Sequence, residues 1–259
     1  MRPRKWLDRK TRESALRQWG DLAAAERAPG PVRLALLRDE ALGLRAQLDR
    51  FLGRTDRHAA LSGAALEALA LPGGTDWRWR PGVMAAQLSP RGLAAPDSGT
   101  RLGDGAAVWH DCPEAALILD QIGNPGPTDL SPFGLRLEAF GFAGSFLSLS
   151  LDLPAAALHG LTRGHVLRLE TELVAERALR LFARLNICHG PNVEEMTLQF
   201  DPPEPGRQCQ RVLEFDLAYM QMQENRLERI WLDLILEAPR MNALEIRELF
   251  FSRHLRAQF

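Results

Sequence analysis

The sequence contains few lysines and is almost balanced in charge. Only two of its 32 basic residues, Lys5 and Lys10, are lysines, so the other 30 are arginines. An arginine bias along a whole chain is typical of GC-rich coding sequence, and the alternative is selection for bidentate binding of carboxylate or phosphate. With 33 acidic residues the net charge is −1. This balance gives no general attraction to nucleic acid or to an anionic membrane.

Cysteines are scarce, and no long hydrophobic segment is present. The three cysteines, Cys112, Cys188 and Cys209, are odd in number and widely spaced. The N-terminal residues carry a charge every two or three positions, which is untypical of a secretion signal. The apolar run 230–236 is interrupted by Asp233, and it is far shorter than the ~20 residues that a membrane span needs. We therefore expect a cytoplasmic location, free thiols and no integral membrane segment.

The chain also lacks the common motifs of catalytic, phosphate and metal sites. We find no G-x-S-x-G nucleophile elbow, no phosphate-binding loop and no H-E-x-x-H sequence. His110 with Cys112, and Cys188 with His189, do not have the ligand spacing of a zinc site. The sequence therefore predicts no metal and no cofactor.

The first part of the chain differs from the remainder in charge and in periodicity. Residues 1–58 contain 14 basic and 8 acidic residues, a balance of +6, whereas the remainder carries −7. Between Pro31 and Gly53, apolar residues recur every three or four positions, at Leu34, Leu37, Ala41, Leu44, Leu48 and Phe51. This spacing predicts one amphipathic helix after a weaker one. We predict a helical hairpin over 1–54 and a linker over 55–76, with a coiled-coil dimerisation arm as the alternative to the hairpin.

From Trp77 onward, apolar and polar residues alternate in many short runs. Leucines in 147–153 alternate with serine and aspartate, and similar patterns lie near 135–138, 167–173, 181–187, 213–217 and 230–237. Shorter runs include Val83 to Leu88. About ten such strands without intervening helices are typical of two antiparallel sheets packed face to face. We predict that residues 77–259 form an antiparallel jelly-roll β-sandwich.

The polar positions of these strands predict a binding surface. Carboxylates accept hydrogen bonds from sugar hydroxyls, arginine and asparagine donate to them, and an indole stacks on sugar C–H bonds. The alternative is charge pairing between strands on a solvated sheet. The candidate ligand contacts are Arg184, Asn186, Glu214, Trp231 and Asp233, with His189 and Asn192 at the rim.

Several segments resemble a family of alphaproteobacterial proteins that has an arginine-rich helical N-terminus and a β-rich body. They are WHDCPEAALIL, DLSPFGLRLEAFGFAGSFLSLSLDLP, FARLNICHGPN, EFDLAYMQMQENRLERIWLDLILEAPRMN and the ending FFSRHLRAQF. The resemblance implies no activity and no residue roles. The segments RIWLDLILEAP and ALEIRELFFSR more loosely resemble the closing strands of galactose-binding-like jelly rolls in carbohydrate-binding modules, which favours glycan binding without identifying a sugar.

Three functions remain open from the sequence. We expect a non-catalytic protein that binds a carbohydrate or glycoconjugate. The first alternative is an interaction or scaffold protein that forms a homodimer through its N-terminal helices or docks a protein partner. The second is a glycoside-type hydrolase that uses paired carboxylates on a sheet, drawn from Glu138, Glu170, Glu214 and Asp216. We expect no nucleic-acid partner.

Overall fold

A computed structural model describes residues 3–25, 30–61, 69–124 and 129–257. In the N-terminal helical region, up to residue 61, it describes the side chains of residues 10–25, 30–48, 50 and 51. Two helices come first, α1 (Pro3–Ala24) and α2 (Pro31–Leu61). Each begins at a proline, a residue that the first helical position tolerates because its N–H has no partner there. The chain divides into two compact units, residues 1–48 and 49–259.

Helix α2 is longer than its sequence predicts. It continues through Gly53 to Leu61 and so enters the predicted linker 55–76, of which residues 62–68 lie outside the described residues. Leu34, Leu48 and Phe51 are exposed by 49%, 51% and 62%, whereas Leu37 and Ala41 are half-buried. Within residues 10–25 and 30–48 no side chain is buried. The described part of the first unit therefore has no core of its own.

The second unit contains two antiparallel sheets. Their strands, numbered along the chain, are β1 (Thr75–Trp79), β2 (Gly92–Ala94), β3 (Thr100–Arg101), β4 (Ala106–His110), β5 (Leu117–Gly123), β6 (Phe133–Ala139), β7 (Phe146–Asp152), β8 (His165–Ala175), β9 (Arg180–His189), β10 (Asn192–Gln199), β11 (Gln208–Asp216), β12 (Leu227–Glu237) and β13 (Asn242–Leu255). Sheet A has the order β11-β8-β13-β6-β5-β2, with β1 also paired to β13, and sheet B has the order β10-β9-β12-β7-β4-β3.

The inner faces of the two sheets form the core. On β7, Leu147, Leu149 and Leu151 are at most 1% exposed, as the two-residue alternation predicts. Alternate residues of β12 and β9 are buried on the same side, and they join residues of sheet A such as Leu169 and Phe251 in one cluster. The predicted antiparallel β-sandwich is confirmed.

The run Val83 to Leu88 was predicted as a strand, and this prediction is wrong. The structure has a short helix here, α3 (Gly82–Ala85), whose Val83, Met84 and Ala85 are all buried. The side chain of Gln121 donates hydrogen bonds to the carbonyls of Val83 and Ala86, at 2.6 and 2.8 Å. A short apolar run has no distinctive period, so the sequence does not separate a buried strand from a buried helical turn.

Candidate functional site

The outer face of sheet B carries a groove of about 570 Å³. This is within the range of small-molecule binding sites, roughly 300–1,000 Å³. Its floor consists of small residues on two neighbouring strands, Ala107 on β4 and Ser148 and Ser150 on β7. Larger side chains line its walls, namely Arg101, Trp109, Phe146, Asp152, Arg184, Arg229, Trp231, Asp233 and Ile235. The groove exists because short side chains on the middle strands lie between long ones.

The central row of the groove is set by strand register. Ser150 pairs with Ala107 on one side and with Asp233 on the other, and Asp233 pairs with Arg184 on the next strand. Since side chains at paired positions point to the same face, the row brings a hydroxyl, a carboxylate and a guanidinium together. Trp231 lies two residues from Asp233 on the same strand and therefore on the same face.

Asp233 is held by two donors. Arg184 donates from Nη2 to Oδ2 at 3.0 Å, and Asn186 donates from Nδ2 to the same oxygen at 3.0 Å. Asn186 is 1% exposed and also donates to the carbonyl oxygen of Arg184 at 3.0 Å. Asn186 does not line the groove, and it fixes the carboxylate that does. Glu195 lies 3.7 Å from Nη1 of Arg184.

At one end of the groove, two guanidinium groups donate hydrogen bonds to the carboxylate of Asp152. Arg101 donates to Oδ2 at 2.8 Å and Arg229 donates to Oδ1 at 2.5 Å. Burial raises the pKa of Asp152, but the hydrogen bonds and charges of Arg229 and Arg101 outweigh it, so its pKa lies below the ordinary value. Asp152 is therefore a carboxylate at neutral pH, and two guanidinium groups share its charge.

Two indoles mark the ends of the groove. Trp231 pairs with Asp152, and the guanidinium carbon of Arg229 lies 4.9 Å from its ring centroid. Trp109 pairs with Ser148 and is 47% exposed. Strand spacing and rise place the Cα atoms of the two tryptophans about 17 Å apart. This span is longer than a single sugar ring.

The groove floor contains a buried hydroxyl without a protein partner. Ser148 is 6% exposed, and its Oγ makes no hydrogen bond within the described part of the chain. A buried hydroxyl without a hydrogen bond is costly unless water or a ligand supplies one. A bound polar molecule on the floor could supply that partner.

The structure brings together four of the seven residues predicted for the site: Arg184, Asn186, Trp231 and Asp233. The other three lie elsewhere. Glu214 is on β11 of sheet A, where it accepts a hydrogen bond from Arg168 at 2.7 Å. His189 is 3% exposed and has the core-facing register of its strand, and its ring nitrogens have no partner among the described residues. Asn192 is exposed at the start of β10.

Sequence reasoning missed the opposite wall of the groove. Trp109 follows the alternation of a five-residue strand, which is too short to give a clear period. Asp152 continues the alternation of Ser148 and Ser150 and so shares their outer face. That alternation was the available signal for Asp152. The approach of Arg101 and Arg229 to Asp152 has no signal in sequence, because they lie 51 and 77 residues from it.

Neither a metal cluster nor a membrane-spanning helix is found in the described ranges. No group of three or more histidine, cysteine, aspartate or glutamate side chains could hold an ion there. No described helix combines the length and hydropathy needed to cross a bilayer.

The fold defines the chain as an antiparallel β-sandwich protein with two N-terminal helices. It belongs to the DUF6478 family of unknown function, which it matches over residues 1–259. No curated protein sequence matches it significantly. The membership agrees with the predicted resemblance to a family without assigned activity.

Solved structures resemble the sandwich at low sequence identity. The enzymatically active domain of bacteriophage CBA120 tailspike protein 4 has a TM-score of 0.43 and 6% identity, over 63% of this chain and 22% of that one. The xylan-binding domain of Paenibacillus barcinonensis Xyn10C has a TM-score of 0.38 and 10% identity, over 64% and 94%. A family 22 carbohydrate-binding module of Clostridium thermocellum has a TM-score of 0.38 and 7% identity, over 72% and 96%. At this identity the likeness concerns the fold alone.

Proposed function

We propose that the protein binds an oligosaccharide in the groove of sheet B. The observation that carries this proposal is the pairing of an exposed indole, Trp109, with a row of carboxylate and guanidinium groups along one concave face. Ligand sites combine an apolar surface with a few fixed polar groups in the same way. The groove is long enough for more than one sugar ring.

Each part of the groove has a role in this proposal. Trp109 stacks on the C–H face of one ring. The carboxylates of Asp152 and Asp233 accept hydrogen bonds from hydroxyl groups, and the guanidinium of Arg184 donates to them. Ser148 supplies a hydroxyl at the floor. Because most of these groups are already fixed by protein contacts, binding orders few side chains and loses little entropy.

The chemistry of the carboxylates favours binding over hydrolysis. A glycosidase needs one carboxyl group that is protonated near neutral pH, which requires a raised pKa. The pKa of Asp152 is lowered, and Asp233 is ion-paired with Arg184. Asp152 is therefore not suited to act as the general acid. We therefore propose a non-catalytic protein.

The four carboxylates considered for a hydrolase all lie on sheet A. Each of them is within 2.8 Å of an arginine nitrogen: Glu138 with Arg136, Glu170 and Glu214 with Arg168, and Asp216 with Arg256. Only the contact of Glu214 with Arg168 joins neighbouring strands, as the charge-pairing interpretation predicted. The contacts of Glu138 and Glu170 lie within single strands. They do not support a catalytic pair on this sheet.

A glycan array with the full-length protein tests the proposal. Saccharides that bind are then titrated by calorimetry into the wild type and into Trp109→Ala and Trp231→Ala. We expect each substitution to weaken binding by roughly tenfold or more, as loss of an aromatic contact does. Tyr219→Ala is the matched control, since Tyr219 is 77% exposed and does not line the groove. Binding that is unchanged in both tryptophan variants would overturn the proposal.

The exposed apolar positions of α2 favour a second candidate function, self-association. Apolar residues repeat at spacings of three and four from Leu34 to Phe51, which is the repeat of a coiled coil with a second copy of the same helix. Light scattering on the full chain tests this. We expect a dimer of the 28.9 kDa chain that becomes a monomer when Leu34 and Leu48 are changed to glutamate. A wild-type monomer would exclude it.

A further inference from the structure

The groove is electrically asymmetric, and the asymmetry is greatest around Asp152. Two guanidinium groups, those of Arg101 and Arg229, share this single carboxylate. Their side chains are 58% and 57% exposed, whereas that of Asp152 is 29% exposed. One positive charge at this end is therefore not neutralised by Asp152, and both guanidinium groups face solvent at the mouth of the groove.

Both arginines retain donors for a ligand. A guanidinium has five N–H groups in a planar fork. In the described part of the chain, each of the two uses Nη2 for Asp152, and Arg229 also lies over Trp231. Their Nε and Nη1 groups make no further hydrogen bond there. The guanidinium groups of Arg101 and Arg229 lie on either side of the carboxylate of Asp152. Their unused N–H donors form a site for a second anionic group.

The balance of charge is different around Arg184, at the end of the central row. Arg184 uses both Nε and Nη2 on Asp233, at 3.3 and 3.0 Å, and its Nη1 is 3.7 Å from Glu195. One guanidinium therefore faces two carboxylates here, and the local balance is negative. A ligand that fits both sides carries its negative charge near Arg101 and Arg229, and neutral hydroxyl groups near Asp233.

We infer that the ligand is an acidic saccharide, in which the carboxylate of a uronic acid residue binds between Arg101 and Arg229. A neighbouring ring then lies across Ser148 and Ser150 toward Trp109. This inference rests on the proposed function, because it assigns the charge of the sugar that the groove binds. Bidentate recognition of a planar carboxylate is the property that distinguishes arginine from lysine.

The test compares a charged sugar with its neutral ester. Oligogalacturonates, oligoalginates and hyaluronan oligosaccharides are titrated into the full-length protein at low salt, each beside its methyl ester and beside neutral galacto-oligosaccharides. We expect at least one acid to bind roughly tenfold more tightly than its own ester, because charge-assisted hydrogen bonds are lost on esterification. The preference should shrink as sodium chloride is raised.

Variants locate the charge recognition. The double variant R101Q/R229Q should lose the preference for the acid, so that acid and ester bind it with equal affinity. R207Q removes the same kind of charge from a pair outside the groove, Arg207 with Glu204, and should retain the preference. The comparison of acid with ester in the wild type needs no variant, so the inference stays testable if the double variant fails to fold.

The outcomes separate this inference from the proposed function. Equal affinity for acid and ester, or an acid preference that survives in R101Q/R229Q, overturns the acidic ligand while oligosaccharide binding stands. Failure of every acid, ester and neutral oligosaccharide to bind overturns both. Tight binding of the acid alone, abolished by R101Q/R229Q, supports both.

Discussion

The guanidinium of Arg229 lies over the indole of Trp231, with its central carbon 4.9 Å from the ring centroid. The same guanidinium donates to Asp152, which strand pairing places directly opposite Trp231. A cation over an aromatic face is attracted by the ring quadrupole, so this contact and the carboxylate together fix Arg229. Because Arg229 covers one face of Trp231, we assign the main stacking surface to Trp109.

Filling the groove floor should weaken saccharide binding without unfolding the protein. Ser148→Leu places a large side chain where a sugar ring would lie, and we expect the affinity for the array-selected saccharide to fall by roughly tenfold or more. The hydroxyl that is lost has no partner in the described residues, so stability should change little. Calorimetric titration measures the affinity. Gln210→Leu, at an exposed position of β11 in sheet A, is the control. Normal binding by Ser148→Leu would contradict the location of the site.

Removing the support of Asp233 should affect both stability and binding. Asn186→Ala removes the hydrogen bonds that Asn186 donates to Asp233 Oδ2 and to the carbonyl oxygen of Arg184. Each of these two oxygens then loses one hydrogen-bond donor. We expect the free energy of unfolding in urea to fall by about 1–3 kcal/mol. Asn225→Ala, at an exposed position of the short 3₁₀ helix Glu224–Arg226, should change it by less than about 0.5 kcal/mol. An Asn186→Ala variant as stable as Asn225→Ala would show that the contact to Asp233 does not contribute.

Breaking the buried ion pair between Arg80 and Glu248 should destabilise the sandwich strongly. The two residues are 6% and 8% exposed, Nε of Arg80 lies 2.9 Å from Glu248 Oε1, and Ser131 donates to the same oxygen at 2.8 Å. Glu248→Gln leaves a buried guanidinium without a charged partner, which costs about 3–5 kcal/mol.

The matched control for that ion pair is Glu204→Gln. Its partner Arg207 is 75% exposed at the side chain, so the change should cost about 0–1 kcal/mol. Both values come from urea unfolding of the full chain. Equal effects of Glu248→Gln and Glu204→Gln would mean that burial does not determine the strength of the Arg80 pair.

The ion pair of Asp76 should make stability depend on acidic pH. Hydrogen bonds from Arg253 to Asp76, both at 2.8 Å, lower the pKa of this carboxyl group in the folded protein. Its contribution is therefore fully present above the unfolded-state pKa, about 3.9, and is lost as the pH falls through the lower folded-state pKa. Thermal unfolding at stepped pH should show a shallower acid decline for Asp76→Asn than for the wild type. The control is Asp201→Asn, at an exposed loop position. A decline for Asp76→Asn as steep as that of the wild type would exclude this role for Asp76.

The alternation of residues determined how much of the fold could be predicted. The run 147–153 shows a clear two-residue period, and the structure buries its leucines on one face. Strands β2 and β3 have only three and two residues, so they carry no readable period and were missed. The run Val83 to Leu88 is apolar without a period, and it is a buried helical turn.

The same rule explains which site residues could be grouped from sequence. Trp231 and Asp233 are two positions apart on one strand, so their shared face follows from the pleat. Glu214 has an equally clear alternation, but alternation does not state which of two sheets a strand joins, and β11 joins sheet A. The wall formed by Arg101, Trp109 and Asp152 depends on pairing between distant strands, which only the folded chain shows.

The most direct test of oligosaccharide binding in the groove is an NMR titration that follows the indole N–H signals. The saccharide that binds most strongly on the glycan array is added to the ¹⁵N-labelled full chain. The indole signals are assigned by single tryptophan substitutions. We expect large shifts for the indole signals of Trp109 and Trp231 and none for those of Trp77 and Trp79, which stack on each other in sheet A. Shifts confined to Trp77 and Trp79, or no shift at a saturating concentration, would contradict it.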